Sequence, residues 1–100
     1  MKTAKTGLAG LVLCGVAAVA AAADYQWKTD GRQNDWDWTD SRNFVLKGTE
    51  TEGAPQANDT VFVPDGLTVK ARSSDATSFA RVLELGRIEP MGPNAWVVFD

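Results

Sequence analysis

Two short strand-like stretches on either side of a proline constrain the fold of this chain more than any other feature. The first, Thr60–Val63, is a β-branched and aromatic run, a composition typical of a strand. Pro64 has no backbone N–H to donate, so the strand ends or bends there. The second stretch, residues 67–72, alternates apolar and polar side chains and predicts a half-buried strand. Its core-facing side chains are predicted to be Leu67, Val69 and Ala71. The two strands either form a hairpin or turn a corner between two faces of a coil.

Further short strands are predicted on both sides of this pair, separated by turns rich in Gly, Pro, Asn and Asp. No amphipathic segment of helical length is recognised after residue 23. Residues 47–58 and 73–80 are interpreted as loops, and the alternative for the second is one helical turn around Asp75–Phe79. The other predicted strands are residues 24–28, 42–46, 82–85, 87–89 and 95–99. This pattern predicts an all-β fold of short strands.

The first 23 residues have the organisation of a secretory signal peptide. Lys2 and Lys5 precede an apolar run over residues 8–20, and three alanines follow before Asp24. The apolar run is shorter than the ~20 residues needed to span a bilayer. We therefore predict a signal peptide over residues 1–23 and one small domain over residues 24–100, secreted or at the cell surface, or in the periplasm, with no stable membrane span after cleavage. Cys14 is interpreted as part of the apolar run, not as a lipoprotein cysteine.

The predicted mature domain lacks the side chains of several common catalytic sites. The chain has no histidine, and its one cysteine is in the predicted signal peptide. His-based triads, His-ligated zinc, thiol chemistry and disulfides are therefore not expected there. Without Lys2 and Lys5, eight basic and thirteen acidic residues remain, a net charge of −5. This charge argues against nucleic acid and anionic membranes as partners. The sequence predicts a protein that is not an enzyme.

Two tryptophans are candidates for a ligand-binding surface. Trp36 and Trp38 lie on the same side of an extended segment, and Trp38 precedes the polar residues 39–43, so we expect its ring to be the more exposed. Exposed indole rings stack on sugars, which would make a surface glycan the ligand. The alternative is that these large aromatic side chains form the core.

Three aspartates near these tryptophans are candidates for a calcium site. Asp35, Asp37 and Asp40 would supply the oxygen ligands that calcium prefers. An EF-hand is excluded because Asp40 replaces the required glycine and Leu46 stands at the position of the final glutamate. The hypothesis is therefore an irregular calcium site, and the alternative is that the aspartates stabilise turns. No other cofactor is predicted.

The spacing of aromatic and turn residues suggests a family. The relevant residues are Trp27, Trp36, Asn43-Phe44, Pro55 and Asp59-Thr60-Val61-Phe62, followed by residues 79–86 as a second unit. This pattern resembles the opening unit of bacterial autotransporter-associated β-strand proteins. The resemblance implies the first coils of a right-handed β-solenoid, with Trp27, Trp36 and Phe62 as packing anchors. A small β-sandwich is the alternative fold.

The function expected from this interpretation is structural or adhesive. The resemblance implies an exported, non-enzymatic module at the cell surface. The alternative is a small carbohydrate-binding module that uses Trp36 and Trp38. A third feature is the apolar strand predicted at residues 95–99, whose uncapped edge would favour self-association.

Overall fold

The computed structural model describes residues 21–100, and within them strands hold about twice as many residues as helices. The apolar run of the predicted signal peptide lies outside these residues. The elements are β1 (Asp24–Trp27), a 3-10 helix (Ser41–Asn43), β2 (Phe44–Leu46), β3 (Thr60–Val63), β4 (Thr68–Ala71), α1 (Ala76–Glu84), β5 (Arg87–Pro90) and β6 (Trp96–Phe99). The prediction of a β-rich fold built from short strands is confirmed.

The strands form two sheets. The larger has the order β2-β1-β3-β5, in which only β1 and β2 are antiparallel, and the smaller consists of β4 and β6 in parallel. Strands β3 and β4, which flank Pro64, belong to different sheets. The chain therefore turns a corner at Pro64 and does not form a hairpin there. The N–H of Leu67 closes this turn on the Pro64 carbonyl over 3.1 Å.

The strand–corner–strand unit of β3 and β4 is followed by a second unit of similar length, β5 and β6. Val61 lies beside Ile88, 27 residues later in the chain. Val69 lies beside Val97, 28 residues later. Both pairings are parallel. Strand β5 forms the edge of the larger sheet next to β3, and β6 lies beside β4 in the smaller sheet.

Helix α1 connects these units and corrects the prediction of a loop at residues 73–80 followed by a strand at residues 82–85. Asp75 caps the helix, because its carboxylate accepts a hydrogen bond from the Ser78 N–H over 3.3 Å. Ser78 and Val82, four residues apart, are buried on one face. Phe79 packs against the core from the same side. The helix is short and only partly apolar, which made its periodicity difficult to recognise.

The core lies between the two sheets, beneath α1 and the loop before β2. Its buried hydrophobic side chains are Trp27, Trp38, Phe44, Val61, Val63, Leu67, Val69, Ala71 and Val82. The inward orientation predicted for Leu67, Val69 and Ala71 is thus confirmed, as is the role of Trp27 as a packing anchor. The same role for Phe62 is wrong: strand alternation directs its ring outward, where Lys47 Nζ lies 4.8 Å from the ring centroid.

Candidate functional site

Trp38 is fully buried, so the expectation that its ring is exposed is wrong. The indole meets Trp27 edge to face, with ring centroids 5.2 Å apart. Its Nε1 donates to the Lys70 carbonyl over 2.8 Å. Because the whole ring is enclosed and its one polar atom is bonded within the protein, Trp38 offers no face to a ligand in this structure.

Trp36 is half-buried and is covered in part by an arginine. The guanidinium carbon of Arg72 lies 5.3 Å from the indole centroid, within the range of a cation–π contact. The Trp36 carbonyl accepts a hydrogen bond from the Ser78 hydroxyl over 2.9 Å. A sugar ring stacking on that face would have to displace Arg72. The structure thus buries Trp38 and places Arg72 over one face of the half-buried Trp36, so the two predicted ligand-binding tryptophans do not form one platform.

The carboxylates of Asp37 and Asp40 are engaged in local turns. Asp37 Oδ1 accepts from the Thr39 N–H over 2.9 Å and from its hydroxyl over 2.6 Å. Both oxygens of Asp40 accept from Arg42, over 2.8 Å for Oδ2 and Nη2. These side-chain hydrogen bonds, together with one from the Arg42 N–H, hold the pKa of Asp40 below its ordinary value. They raise the pKa of Arg42 in turn.

Asp35 is the third predicted calcium ligand. The structure does not arrange Asp35, Asp37 and Asp40 as a metal site. The Asp35 carbonyl accepts a hydrogen bond from the Lys70 N–H over 2.7 Å, which ties this segment to β4. Within residues 21–100, no cluster of three or more Asp and Glu side chains is arranged to hold a metal ion. The observed roles of Asp37 and Asp40 are those of turn formers.

The loop between β1 and the 3-10 helix is held by two asparagines that sequence reasoning did not single out for this role. The buried Asn43 side chain accepts from the N–H groups of Gln33 and Asn34 over 2.8 and 3.2 Å. Its amide nitrogen donates to Asn34 Oδ1 and to the Asp37 carbonyl. Asn34 Oδ1 also accepts from the N–H groups of Trp36 and Asp37. This network fixes the turn that directs Trp38 inward.

A polar groove of about 410 Å³ lies beside β1 and β2. Lys28 is engaged in it by Glu52, with Nζ and Oε2 2.6 Å apart. The other charged side chains of the lining, Asp30 and Glu50, are acidic. The cation of this lining, Lys28, is therefore already paired with a carboxylate.

One end of the two strand stacks is covered by the N-terminal part of the domain. Strand β1 pairs with β3 there. On the other stack, β4 is bonded to the loop through the Lys70 N–H and the Asp35 carbonyl, and Lys70 also accepts from Trp38 Nε1. Residues 24–46 thus form a cap over both stacks.

The opposite end, formed by β5 and β6, carries an apolar groove of about 340 Å³ between the two sheets. Its lining residues are Val63, Ile88, Pro90, Ala95, Val97 and Phe99. Trp96 and Phe99 are both 59% exposed, and Val98 and Met91 nearby are also exposed. We call this surface, formed by β5, β6 and the groove between them, the open end.

The backbone of the open end also has hydrogen-bonding groups that face away from the sheets. In β5, the flanking Gly86 N–H donates to the Asp59 carbonyl. In β6, the Trp96 N–H donates to the Leu67 carbonyl. Because alternate residues of an edge strand face the neighbour, the intervening residues direct their N–H and C=O groups outward. These residues are Arg87 and Glu89 in β5, and Val97 and Phe99 in β6.

The sequence predicts an edge strand at residues 95–99, but it does not predict that β5 forms part of the open end. The signal was the alternation Arg87-Ile88-Glu89, which places one apolar side chain between two charges of opposite sign. Its meaning depends on β5 lying at the same end as β6, a relationship that arises only through the fold.

Within residues 21–100, no helix combines the length and apolar character needed to cross a lipid bilayer. Comparisons of the chain with models of known protein families, with curated proteins and with solved structures found no match.

Proposed function

We propose that this chain is an exported, non-enzymatic structural module with an adhesive role at the cell surface: the cap and first two coils of a right-handed β-solenoid. Support for the solenoid comes from two parallel stacks that repeat after 27 and 28 residues. A β-sandwich is built mainly from antiparallel strands. The first coils of a solenoid have a cap on one end and an apolar surface on the other, where the next strands stack. This structure has both features.

The observation that carries the function is the open end, where two edge strands flank an apolar groove. An unpaired edge is a template for another strand, and an apolar groove beside it adds a driving force for burial. Exposed hydrophobic patches of this kind mark interaction surfaces. The module would therefore act by pairing its edge strands side by side with those of a partner.

The partner that the open end fits is a second copy of this chain. If two β5 strands meet antiparallel about a two-fold axis at Ile88, Arg87 of each copy lies opposite Glu89 of the other. Opposite charges in facing positions stabilise a strand pair. The same register joins residues whose N–H and C=O groups both face outward, as the hydrogen-bonded pairs of an antiparallel ladder require. A register centred on Arg87 would instead place like charges opposite each other.

The second strand of the open end is compatible with the same symmetry. The two-fold axis crosses the groove toward β6, where Val97 would face Phe99 of the other copy. Closing the groove would bury Ile88 and Phe99, and each large apolar side chain buried is worth roughly 1.5–3 kcal/mol before the cost of association. The self-complementary charges set the register, while the apolar groove supplies the affinity.

Sedimentation velocity of the domain over a range of concentrations tests this proposal. We expect a dimer for the wild type, and monomers for Arg87→Glu and for Glu89→Arg, because each variant places two like charges opposite each other. An equimolar mixture of the two variants should dimerise again, since every facing pair then has opposite signs. The pair between Arg87 and Glu89 within one chain stays broken in both variants, so recovery in the mixture reports the contact between chains.

Charge reversals away from the open end serve as controls. Lys47→Glu and Glu50→Arg, both at exposed positions, should leave the dimer unchanged. A wild-type domain that stays monomeric at all concentrations would overturn association through the open end. Dimerisation of each single variant alone would overturn the Ile88-centred register.

A further inference from the structure

We infer that the signal peptide is removed between Ala22 and Ala23, and that the new α-ammonium group of Ala23 pairs with the buried carboxylate of Asp59. The inference rests on the export proposed above. It moves the predicted boundary by one residue, from Asp24 to Ala23, and gives the N-terminus a structural role.

The contacts of Ala23 are those of a residue built into the sheet. Its N–H donates to Asp59 Oδ1 over 2.8 Å, and its carbonyl accepts from the Thr60 N–H over 3.0 Å. Through its carbonyl, Ala23 supplies a hydrogen bond of the Asp24–Thr60 pair, with which the parallel pairing of β1 and β3 begins. Cleavage after Ala23 would remove both contacts, whereas cleavage after Ala22 would retain them.

Asp59 is a buried carboxylate that a nearby cation would stabilise. The residue is only 5% exposed, at the corner before β3. Its second oxygen, Oδ2, accepts from the Gln56 N–H over 2.8 Å. Among the described residues it takes part in no ion pair. Buried carboxylates are costly unless a positive charge or several donors compensate them.

An N-terminus at Ala23 would supply that charge without moving an atom. The nitrogen already lies at hydrogen-bond distance from Asp59 Oδ1, and a free terminus converts this amide donor into an ammonium donor. Charge-assisted hydrogen bonds are about twice as strong as neutral ones. Ala23 is only half-buried, so water can reach the remaining ammonium protons.

The sequence permits both cleavage positions. Signal peptidase sites carry small residues one and three positions before the cut. Ala20 and Ala22 fulfil this for cleavage before Ala23, just as Ala21 and Ala23 do for cleavage before Asp24. The alanine run therefore leaves the choice open, and of the two cuts the one before Ala23 gives a product that retains the contacts of Ala23.

Export of the full chain from a secreting bacterial host, followed by intact mass and N-terminal sequencing, tests the cleavage site. We expect the exported protein to begin at Ala23. A start at Asp24 would overturn this inference and leave the export proposal standing. Retention of an uncleaved chain inside the cell would instead contradict export, so the two failures are distinguishable.

The ion pair is tested on purified domains that begin at Ala23 or at Ala22. The added residue keeps an amide donor at Ala23 but moves the charge away. We expect the chain beginning at Ala23 to have the larger folding equilibrium constant at neutral pH. The constant should increase tenfold for each unit by which folding raises the α-amino pKa above its value in the unfolded chain. This advantage is complete below an unfolded pKa of about 8 and is lost as pH rises through the folded value.

The influence of other charged groups near Asp59 on the α-amino pKa must be distinguished from that of the Asp59 carboxylate. Asp24 follows Ala23, the Lys47 N–H bonds the Asp24 carbonyl, and Glu84 and Arg87 lie on the neighbouring helix and strand. An Asp59→Asn variant beginning at Ala23 isolates the carboxylate: its α-amino pKa, followed by NMR, should return to an ordinary value. An α-amino pKa that is equal in the wild type and in Asp59→Asn would overturn the ion pair. So would equal stability of the domains that begin at Ala22 and Ala23.

Discussion

The backbone N–H of Trp38 donates a hydrogen bond to the hydroxyl of Ser78 over 2.8 Å, joining two segments that are forty residues apart. The same hydroxyl donates to the Trp36 carbonyl over 2.9 Å. A single side chain on α1 thus satisfies two backbone groups of the cap loop. It links the cap to the helix that connects the two strand pairs.

Replacing Ser78 with alanine should weaken this link. The Trp38 N–H and the Trp36 carbonyl would lose their partner, and each buried unpaired group costs about 1–3 kcal/mol. We expect the free energy of unfolding in urea, followed by tryptophan fluorescence, to fall by roughly 2 kcal/mol or more. Thr77→Ala, an exposed hydroxyl on the same helix, is the matched control and should change stability by less than about 0.5 kcal/mol. Equal effects of the two substitutions would contradict the role of Ser78.

Asn43 should be more sensitive to a change of chemistry than to a change of size. Asn43→Ala removes four side-chain hydrogen bonds, and we expect a loss of at least about 2 kcal/mol. Asn43→Asp keeps the shape but places a carboxylate oxygen against Asn34 Oδ1 and the Asp37 carbonyl, where the amide donated. We therefore expect Asn43→Asp to be at least as destabilised as Asn43→Ala at pH 7 in the same urea assay. Asn94→Ala, at an exposed position, is the control.

Gly86 should not tolerate a side chain. A Cβ atom there would lie 2.6 Å from the Asn58 carbonyl oxygen. The two segments cannot separate easily, because the Gly86 N–H bonds Asp59 and the Asn58 N–H bonds Glu84. We expect Gly86→Ala to lower the free energy of unfolding by about 1–3 kcal/mol.

Gly53→Ala is the control for this steric prediction. Its Cβ would meet the Tyr25 ring at 3.1 Å, a side chain that can move, and we expect the smaller effect. A Gly86→Ala domain as stable as Gly53→Ala would show that the close approach of the two segments is not maintained in solution.

Local patterns were sufficient to predict the six observed strands, but not helix α1, whose last residues were predicted as a strand, nor the loop of the cap. Thr60–Val63 was predicted with its observed bounds, because a dense β-branched run between turn signals is a local feature. Trp38 was misplaced because its burial depends on the side chains of Asn43 and Asn34, which close a turn that composition alone does not reveal. The polar neighbours that suggested exposure are the residues that direct the ring inward.

The open end could not be predicted because it is a relationship between distant segments. Residues 95–99 indicated an edge strand, but the pairing of β5 beside β3 is required before Arg87 and Glu89 become part of the same surface. Helix α1 was missed for a related reason. Its burial rests on Ser78 and Val82, and the polar Ser78 is buried only because it bonds the cap loop.

The pair of Asp40 and Arg42 should give a small pH dependence of stability whose sign is fixed. Hydrogen bonds from Arg42 lower the pKa of Asp40 in the folded protein, so the folded state favours the carboxylate. The stabilisation is therefore complete above the pKa of an unfolded aspartate, about 4, and is lost as pH falls through the lower folded value. Because the Arg42 side chain is largely exposed, solvent screens the pair and we expect its contribution to stability to be small.

To measure the pH dependence, the free energy of unfolding in urea is compared between the wild type and Asp40→Asn from neutral pH down to pH 2. The difference should shrink as pH falls below about 4, since the wild-type carboxylate then becomes protonated as well. The asparagine retains an oxygen that can cap the 3-10 helix, so the comparison isolates the charge. High salt should shrink the difference at neutral pH too, because exposed ion pairs are screened. A difference that grows toward acid pH would mean that Asp40 is protonated more readily in the folded protein, contrary to its contacts with Arg42.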